Sequence, residues 1–395
     1  MKIIHTSDWH LGQNFYGYDR SEEHGDMIAR LKELIEQQQP DLLVIAGDIY
    51  DVAAPGASVQ KQFSRYMLEL KQAAPQMLVV CISGNHDSSS RHEIFQEPWE
   101  AFNVHMIGKV DMENLGNNIK NIPGKGWVVA VPYTNERFLD DEFYQRLEEA
   151  VKAKATDGLP VVYVGHAAIM KFDFTGHSIL NDKYIGGIEC TSLEQLGDCY
   201  DYIALGHIHK AQTMDNARYC GSPVPVGFDE VKPGYEHGFT VVEIEAKGAA
   251  PQITHIPLEL VRPLVNIPSE GYAPWEAVID ELKDFPADIP AYIRLNVLLK
   301  DAQVLPYDRQ TQIADILEGK KQAKCVQINP AREVTVNPDS EKSGCRNLTM
   351  QELQKTAPVE ILKSYAQQKG EPFTEEFEKM LETVIKNINS KADED

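Results

Sequence analysis

The segment Leu42-Leu43-Val44-Ile45-Ala46-Gly47-Asp48 is an apolar run that ends in a glycine followed by a residue able to bind a metal ion. A short, continuous apolar run is typical of a strand in a sheet covered on both faces. Glycine lets the chain turn sharply where such a strand ends, and it lets the backbone approach an ion closely. The segment therefore predicts a buried strand whose carboxyl end carries a polar site.

A short apolar run ends in possible metal ligands at four other places: Asp8-Trp9-His10, Gly84-Asn85-His86-Asp87, Gly165-His166 and Gly206-His207-Ile208-His209. In all of these except the first, a glycine comes immediately before the ligand. Any one of these motifs alone is weak evidence, because such residues often lie in ordinary turns. Their repetition in order, each time at a predicted strand end, favours convergence on one point. We predict a two-metal centre at that point.

The spacing of the motifs suggests how the ligands divide between two ions. Residues two apart in an extended segment point to the same side, so Asp8 with His10, and His207 with His209, can each present two ligands to one location. A carboxylate must bridge ions that lie about 3.5–4 Å apart, and Asp48 is the natural bridge because it follows the most apolar strand. The predicted ligands are Asp8, His10, Asp48 and His209 for the first ion, and Asp48, Asn85, His166 and His207 for the second.

Mixed imidazole, amide and carboxylate ligands favour a borderline ion over magnesium. Two Mn²⁺ ions are the first choice, and iron and zinc remain open. His86 is left uncoordinated, so we predict that it stabilises charge on a phosphate or protonates the leaving oxygen, with Asp87 fixing its orientation from behind. The ions would lower the pKa of water and so supply the hydroxide nucleophile.

The rest of the chain predicts an α/β sandwich followed by a smaller unit. Predicted strands cover 2–7, 42–46, 77–82, 127–131, 161–164, 202–205 and 239–245, and predicted helices cover 26–38, 59–72 and 136–154. After a proline-punctuated connector, helices over 274–282 and 307–317 and strands over 292–299 and 324–328 indicate a small α+β unit. We expect domains at 1–262 and 263–345, then C-terminal helices over 346–395.

Composition restricts the possible classes of protein. The chain has 395 residues, 43% of them hydrophobic, and its six cysteines show no paired spacing typical of zinc sites or disulfide frameworks. Without an apolar stretch of roughly 20 residues or a signal-peptide pattern, the expected location is the cytoplasm. A formal net charge of -22 argues against nucleic acid as a partner, but a pair of bound cations would make the site itself positive.

Taken together, the motifs resemble the calcineurin-like metallophosphoesterases, and among them the SbcD family of bacterial nuclease subunits. The resemblance rests on five stretches, Asp8-Trp9-His10-Leu11-Gly12, Gly47-Asp48-Ile49-Tyr50-Asp51, Gly84-Asn85-His86-Asp87, Gly165-His166 and Gly206-His207-Ile208-His209. Asp51, where eukaryotic and archaeal relatives usually have histidine, and the run Gly221-Ser222-Pro223 point to the bacterial branch.

The resemblance implies a four-layer α/β/β/α sandwich with a small α+β capping domain and C-terminal helices. It also implies a DNA repair and recombination nuclease, with 3′ to 5′ exonuclease activity on duplexes and endonuclease activity on single strands and hairpins. An SbcC-type coiled-coil ATPase and a homodimer within a heterotetramer are the expected partners. The segment that binds the ATPase would be the C-terminal stripe Phe377, Met380, Leu381, Val384, Ile385 and Ile388.

The loop after His10 carries Asn14, Tyr16 and Arg20, which could touch a DNA backbone or stack on a base. An ordinary solvated loop is an equally good interpretation. Two other functions also stay open. One is a phosphatase or small-molecule phosphodiesterase, although Val52-Ala53-Ala54 stands where protein phosphatases of the superfamily typically have an arginine. The other is a DNA-end scaffold whose metal site has no catalytic role.

Overall fold

The computed structural model describes residues 1–134, 139–140, 142–173, 191–232, 234–300, 303–320 and 322–333. Its strands are β1 Lys2–Thr6, β2 Asn14–Phe15, β3 Tyr18–Asp19, β4 Leu42–Ala46, β5 Leu78–Ile82, β6 Val104–Ile107, β7 Ile119–Ile122, β8 Gly126–Val131, β9 Val161–His166, β10 Tyr202–Gly206, β11 Gln212–Met214, β12 Ala217–Tyr219, β13 Gly238–Glu243, β14 Gln252–Pro257, β15 Leu264–Ile267, β16 Ala291–Leu299 and β17 Ala323–Arg332. The α-helices are α1 Ser21–Gln38, α2 Ala57–Ala73, α3 Ser89–Ile94, α4 Gln96–Glu100, α5 Phe143–Lys154, α6 Leu193–Leu196, α7 Trp275–Asp284 and α8 Arg309–Leu317.

The chain divides into two units, Met1–Leu299 with Val304–Ala331, and Lys300–Gln303 with Arg332–Asp395. The elements above belong to the first unit, apart from the last residue of β17. Most of the second unit, including the predicted C-terminal helices and the apolar stripe from Phe377 to Ile388, lies outside the described residues. The domain boundaries expected at residues 262 and 345 stay predictions.

Two six-stranded sheets form the centre of the first unit, with strand orders β14-β13-β1-β4-β5-β6 and β11-β12-β10-β9-β8-β7. In the first sheet β1, β4, β5 and β6 run parallel, and in the second β8, β9, β10 and β12 do so. Antiparallel strands lie at the margins of both sheets. Parallel strands put their carboxyl ends at one edge, which is where open α/β sheets carry their ligand sites.

The apolar strand residues predicted to be buried pack the two sheets against each other. Leu42, Val44 and Ala46 of β4 meet Val162 and Val164 of β9 in one fully buried cluster. The alternate residues of β4, such as Leu43 and Ile45, face the helices α1 and α2. Helix α5 packs on the outer face of the second sheet through Phe143, Leu147 and Val151. These four layers confirm the predicted α/β/β/α sandwich.

Helix α1 begins at Ser21, five residues before the predicted start at Asp26. The first turn carries Glu22 and Glu23, and acidic residues there interact favourably with the helix dipole. The Asp19 carboxylate also accepts a hydrogen bond from the Ser21 amide at 2.6 Å. Helix α5 begins at Phe143 rather than at the predicted Glu136, and positions 135–138 and 141 lie outside the described residues.

Residues 264–332 contain a three-stranded sheet of order β15-β16-β17, called the C-terminal sheet below. Helices α7 and α8 cover it, and Trp275, Val278 and Leu282 of α7 share a core with Ile293 and Leu295 of β16. No helix within the described ranges combines the length and the apolar character that crossing a bilayer requires.

Candidate metal centre

All seven predicted metal ligands follow or end parallel strands, and the structure brings them together. Asp8, Asp48 and Asn85 come after the neighbouring strands β1, β4 and β5 of the first sheet. His166 ends β9 and His207 follows β10, which are neighbours in the second sheet. Because the two sheets pack face to face, the carboxyl ends of their central strands meet at one edge of the sandwich.

Asp8, His10 and His209 form a first group, with one ligand atom from each side chain within 4.8 Å of the others. The Nε2 atoms of His10 and His209 lie 3.3 Å apart. The Nε2 atom of His209 lies 3.9 Å from Oδ1 of Asp8. All three side chains are buried.

A second group consists of Asp48, Asn85, His166 and His207. The Asn85 Oδ1 atom lies 3.0 Å from His166 Nε2 and 2.9 Å from His207 Nδ1. Asp48 lies between the two groups, because its Oδ2 atom is 3.4 Å from Nε2 of His166 and 3.9 Å from Nε2 of His10. A carboxylate in this position can contact an ion in either group.

The backbone at the centre is held in an uncommon conformation. Asp8, His10, Asp48 and His207 all have positive φ, at 53°, 47°, 49° and 98°. Residues other than glycine rarely adopt this region, and such strain concentrates at functional sites. The left-handed conformation turns each side chain out of the strand direction and into the shared space at the edge of the sandwich.

The glycines of the motifs are needed because neighbouring segments approach them closely. A Cβ atom on Gly84 would lie 2.1 Å from Oδ1 of Asp48, and one on Gly47 would lie 2.2 Å from Nδ1 of His166. Gly47 also has φ of +89°, which L side chains rarely adopt. Any side chain at either position would push apart the groups that form the centre.

Carboxylates and a carbonyl from residues that are not predicted ligands lie against the histidines. The Nδ1 atom of His209 is 2.7 Å from Oε1 of Glu230, and Nδ1 of His166 is 2.8 Å from the Ala46 carbonyl oxygen. The Nδ1 atom of His10 is 3.3 Å from Oδ1 of Asp51. Such partners fix the ring orientation and tautomer of metal-binding histidines.

Glu230 contacts the candidate centre, although no sequence pattern had marked it. It is buried, and its carboxylate also accepts hydrogen bonds from the Ser222 hydroxyl and the Val226 amide, each at 3.0 Å. No local pattern marks it, since it lies on a short 3-10 turn, Phe228–Glu230, far along the chain from the last motif. The sequence marks Asp51 only as a feature of the bacterial branch, although its carboxylate faces His10.

The carboxylates of the centre stabilise positive charge on two of its buried histidines. Burial opposes protonation of His166, but the neighbouring Asp48 carboxylate outweighs it and raises the pKa of His166 to about 9. Burial likewise opposes protonation of His209, yet Glu230 raises the pKa of His209 to about 9. Burial alone would raise the pKa of Asp48, but the adjacent His166 and His10 lower it. These shifts follow from opposite charges sharing a poorly solvated site.

The donor atoms fit divalent cations. A neutral imidazole that donates from Nδ1 carries its lone pair at Nε2. In the neutral form that metal binding requires, His209 and His166 donate from Nδ1 to oxygen acceptors, so their Nε2 lone pairs face His10 and Asn85 at 3.3 Å and 3.0 Å. Two lone pairs at such distances repel each other unless a proton or a metal ion lies between them. Imidazole, amide and carboxylate donors are together suited to a borderline ion such as Mn²⁺.

His86 lies beside the first group and is exposed. Its ring centroid is 4.9 Å from that of His10, and its Nδ1 donates to the Asp51 carbonyl oxygen at 3.0 Å. The backbone amide of His86 donates to Oδ1 of Asp48 at 2.8 Å. Among the described residues, Nε2 of His86 has no hydrogen-bond partner, so this nitrogen is the one that can meet a substrate.

The contacts of Asp87 differ from the predicted ones. Its carboxylate accepts hydrogen bonds from the amides of Ile49, Tyr50 and Gly84, at 3.1, 3.0 and 2.9 Å. The Asp51 carbonyl, rather than Asp87, holds the His86 ring. Asp87 therefore fastens the loop after β5 to the loop after β4, and it acts on the backbone that presents Asp48 and Asn85.

The three predicted DNA-contacting residues have different environments. Tyr16 is 51% exposed, with φ of 51°, and Asn14 is exposed, with its Oδ1 accepting from the Gly17 amide at 2.7 Å. Arg20 is only 1% exposed and lies over the rings of Phe15 and Tyr292, at 5.0 and 5.8 Å. The prediction that Arg20 contacts DNA is therefore wrong, because aromatic packing encloses its guanidinium.

Comparison with known proteins agrees with the resemblance that the sequence motifs indicate. The profile of the calcineurin-like phosphoesterase family matches residues 1–211. The SbcD component of the nuclease SbcCD from Escherichia coli K12 is 25% identical over 390 residues, which cover 89% of this chain and 94% of the relative. The SbcD component from Rhodobacter capsulatus is 29% identical over 310 residues, covering 71% of this chain and 75% of the relative.

A solved dimetal phosphatase from Danio rerio matches 65% of this chain and 98% of its own, with a TM-score of 0.37 and 12% identity. The family match and the SbcD relatives confirm the predicted resemblance and the prediction of a phosphodiester hydrolase. The chain belongs to the calcineurin-like phosphoesterases.

Proposed function

We propose that this chain is a two-metal DNA nuclease that hydrolyses phosphodiester bonds at the centre formed by Asp8, His10, Asp48, Asn85, His166, His207 and His209. The observation that carries the proposal is the position of Asp48 between two groups of ligands, with Oδ2 3.4 Å from His166 and 3.9 Å from His10. A shared carboxylate is what a pair of closely spaced ions requires.

Each side chain has a definite task in this proposal. Asp8, His10 and His209 would hold the first ion, Asn85, His166 and His207 the second, and Asp48 both. When bound, the ions lower the pKa of water to supply hydroxide and offset the negative charge of the phosphodiester. His86 presents Nε2 to the substrate, because its Nδ1 donates to the Asp51 carbonyl. In the protonated form of the ring, the Nε2–H can stabilise developing charge or protonate the leaving oxygen.

Mn²⁺ is the proposed ion at both positions. The donors combine two carboxylates and one amide with four imidazoles, a set softer than the oxygen ligands that Mg²⁺ selects. Iron and zinc share this preference, so metal analysis of the protein purified without added metal, followed by activity assays with each ion, is the test. Full activity with Mg²⁺ alone would contradict the assignment.

DNA is the proposed substrate because the relatives named above are nucleases by name. Their names also make them components of an SbcCD complex, which supports an SbcC-type coiled-coil ATPase as partner here. The family resemblance adds 3′ to 5′ exonuclease action on duplexes, endonuclease action on single strands and hairpins, and a homodimer within a heterotetramer. The proposed roles are DNA repair, replication and recombination. The proposed location is the cytoplasm. The stripe Phe377, Met380, Leu381, Val384, Ile385 and Ile388 is the proposed ATPase-binding segment.

A direct assay separates the nuclease from its rivals. The purified chain with Mn²⁺ is given linear duplex DNA, a DNA hairpin and a phosphate monoester in parallel. The proposal expects cleavage of DNA that chelator abolishes, with little monoester turnover. Strong monoester turnover without DNA cleavage would instead establish the phosphatase, and the Val52-Ala53-Ala54 run after Asp51 counts against that result.

The scaffold alternative makes a different prediction. A non-catalytic protein would bridge DNA ends equally well with and without His86, and it would not cut them under any metal condition. The exposure of His86 beside a buried, strained ligand cluster favours chemistry instead. Cleavage by the chain alone, lost in His86→Ala, is the expected outcome, and an inert chain that still bridges ends would contradict it.

A further inference from the structure

The carboxylate of Glu230 contacts the candidate metal centre, and the two other residues of its 3-10 turn contact the C-terminal sheet. It accepts from Nδ1 of His209 at 2.7 Å, from the Ser222 hydroxyl and from the Val226 amide. Its remaining neighbours on the 3-10 turn, Phe228 and Asp229, reach in the other direction. The turn Phe228–Glu230 thus lies between the candidate metal ligand His209 and the C-terminal sheet.

Arg294 of β16 contacts both of these neighbours. Its guanidinium lies 4.9 Å from the Phe228 ring centroid, and its Nη1 atom lies 3.7 Å from Oδ1 of Asp229. Its Nε donates to Oδ1 of Asn266 in β15 at 2.8 Å, which fixes the side chain on its own sheet. Arg294 therefore holds the turn by a ring contact and a charge contact at once.

A second set of contacts connects the C-terminal sheet to the segment that follows His10. The hairpin of β2 and β3 follows His10, and Phe15 of that hairpin packs 5.2 Å from Tyr292 of β16 and 5.6 Å from Phe228. Tyr16 of the same hairpin donates from its hydroxyl to Gln327 of β17 at 2.9 Å. Both His10 and His209 thus have supports that lead to the C-terminal sheet.

The second group is supported differently. His166 donates from Nδ1 to the carbonyl of Ala46, which is in β4, and its own strand β9 lies inside the second sheet. Asn85 follows β5, and Asp87 ties its loop to the backbone after β4. These supports come from the two large sheets. A change in the C-terminal sheet should therefore weaken binding of the first ion more than binding of the second.

We propose that Glu230 is a positioning residue for the first metal ion, and that Arg294 on the C-terminal sheet sets how tightly this ion is held. The inference rests on the proposed function, because it needs a two-ion centre. According to this inference, the affinities of the two ions depend on different parts of the structure. The supports of the second ion come from the two large sheets, whereas those of the first also include contacts with the C-terminal sheet.

The test is Mn²⁺ binding to the full chain by calorimetry, with paramagnetic resonance to detect coupling between two ions. Glu230→Gln removes the charge but keeps the shape, and it should weaken the first ion about 10- to 100-fold while leaving the second within about twofold. At low Mn²⁺ this variant should show an uncoupled single ion where the wild type shows a coupled pair. Equal weakening of both ions, or of neither, would overturn the inference.

A second pair of variants keeps the test decisive should Glu230→Gln fail to fold. Arg294→Met keeps the apolar stem and removes the charge, and it should weaken the first ion roughly 2- to 10-fold. Arg309→Met, on α8 of the same region, is the matched control, since Arg309 donates to the Pro306 carbonyl and not to the turn. A similar loss in both variants would mean general destabilisation and would reject the proposed link.

A variant that lacks Asn85, a proposed ligand of the second ion, can show which of the two ions Glu230 affects. Asn85→Ala should retain one ion, and adding Glu230→Gln should then remove most of the remaining affinity. Retention of that ion in the double variant contradicts the positioning role. A wild-type chain that binds fewer than two ions, or binds two and never cuts DNA, would instead defeat the proposed function, so the two failures are distinguishable.

Discussion

The Nε2 atoms of His10 and His209 lie 3.3 Å apart across the first group, in a pocket where both rings are buried. His209 has its Nδ1 on Glu230, and His10 has its Nδ1 toward Asp51. Both rings therefore offer the same kind of nitrogen to the same point. This relationship marks one of the two proposed ion positions, and Asp48 lies between it and the other.

Asp48 should be required for both ions, and Asp8 for only one. Asp48→Ala removes the carboxylate whose Oδ2 lies near both His166 and His10, so we expect loss of both ions. Asp8→Ala should lose only the first. Metal content after dialysis, measured by elemental analysis, checks this, with the exposed Asp140→Ala as a control that keeps two ions. Two ions retained in Asp48→Ala would remove its bridging role.

His86 should matter for chemistry and not for metal binding. Its Nε2 has no partner among the described residues, and its Nδ1 is held by the Asp51 carbonyl. His86→Ala should keep two Mn²⁺ ions but lose DNA cleavage by about 10²-fold or more. Single-turnover rates on duplex DNA, with metal content measured in parallel, give the answer. An unchanged rate would take His86 out of the mechanism.

Binding of Mn²⁺ should stabilise the fold. Asp8 and Asp48 are 0% and 2% exposed, and buried carboxylates are costly unless cations compensate them. At a free Mn²⁺ concentration 100 times the dissociation constant, each site adds about 2.7 kcal/mol to the free energy of unfolding. Chemical denaturation with and without Mn²⁺ measures this gain, and it should vanish in Asp48→Ala. An equal gain in that variant would show that Mn²⁺ binds elsewhere.

The convergence of the candidate metal ligands could be predicted because each of them is marked locally. An apolar run and then a ligand, with a glycine between them in four of the five motifs, describes both the strand and its end. Parallel strands bring such ends together without further information. The positive φ of Asp8, His10 and Asp48 was not foreseen. The backbone amides of Asp8 and His10 donate to the carbonyls of Gly47 and Asp48, and this pairing of the loops after β1 and β4 is contained in no single motif.

Other features depend on contacts between distant segments, and these could not be predicted. Glu230 reaches His209 only because a short turn folds back on the centre. Arg20 is a charged loop residue whose burial requires Tyr292 of β16 to cover it. The first turn of α1 was missed because glycine is a poor helix former, yet Gly25 lies inside the helix, facing Tyr66.

The different environments of Arg20 and Tyr16 lead to opposite expectations. Arg20→Ala leaves a hole beside Phe15 and Tyr292 and should lower the free energy of unfolding by about 2 kcal/mol. Tyr16→Ala removes a ring that is 51% exposed, so the fold should be kept. If that ring stacks on a base, affinity for single-stranded DNA should fall by about 1–3 kcal/mol. Denaturation and DNA titration of both variants separate the roles, and unchanged DNA affinity in Tyr16→Ala would exclude the stacking contact.

His5 should make the fold sensitive to acid in a way that is independent of the metal centre. Its side chain is 0% exposed, and its Nδ1 lies 2.9 Å from the Tyr202 hydroxyl. Burial, reinforced by the nearby Arg218, lowers the pKa of His5 from 6.5 to about 3. Below pH 6.5 His5 therefore binds a proton in the unfolded chain, whereas in the folded chain it does so only near pH 3. The free energy of unfolding consequently falls as the pH falls through this window.

Between pH 8 and pH 5 this one group should reduce the free energy of unfolding by about 2 kcal/mol, since each pKa unit corresponds to about 1.4 kcal/mol. His5→Gln cannot titrate and keeps a polar partner for Tyr202, so it should lose that part of the pH dependence. The measurement is denaturant unfolding of both proteins at the two pH values, in chelator so that metal release does not contribute. A wild type and variant with parallel pH dependence would show that His5 is already protonated in the fold, or that it is solvated there.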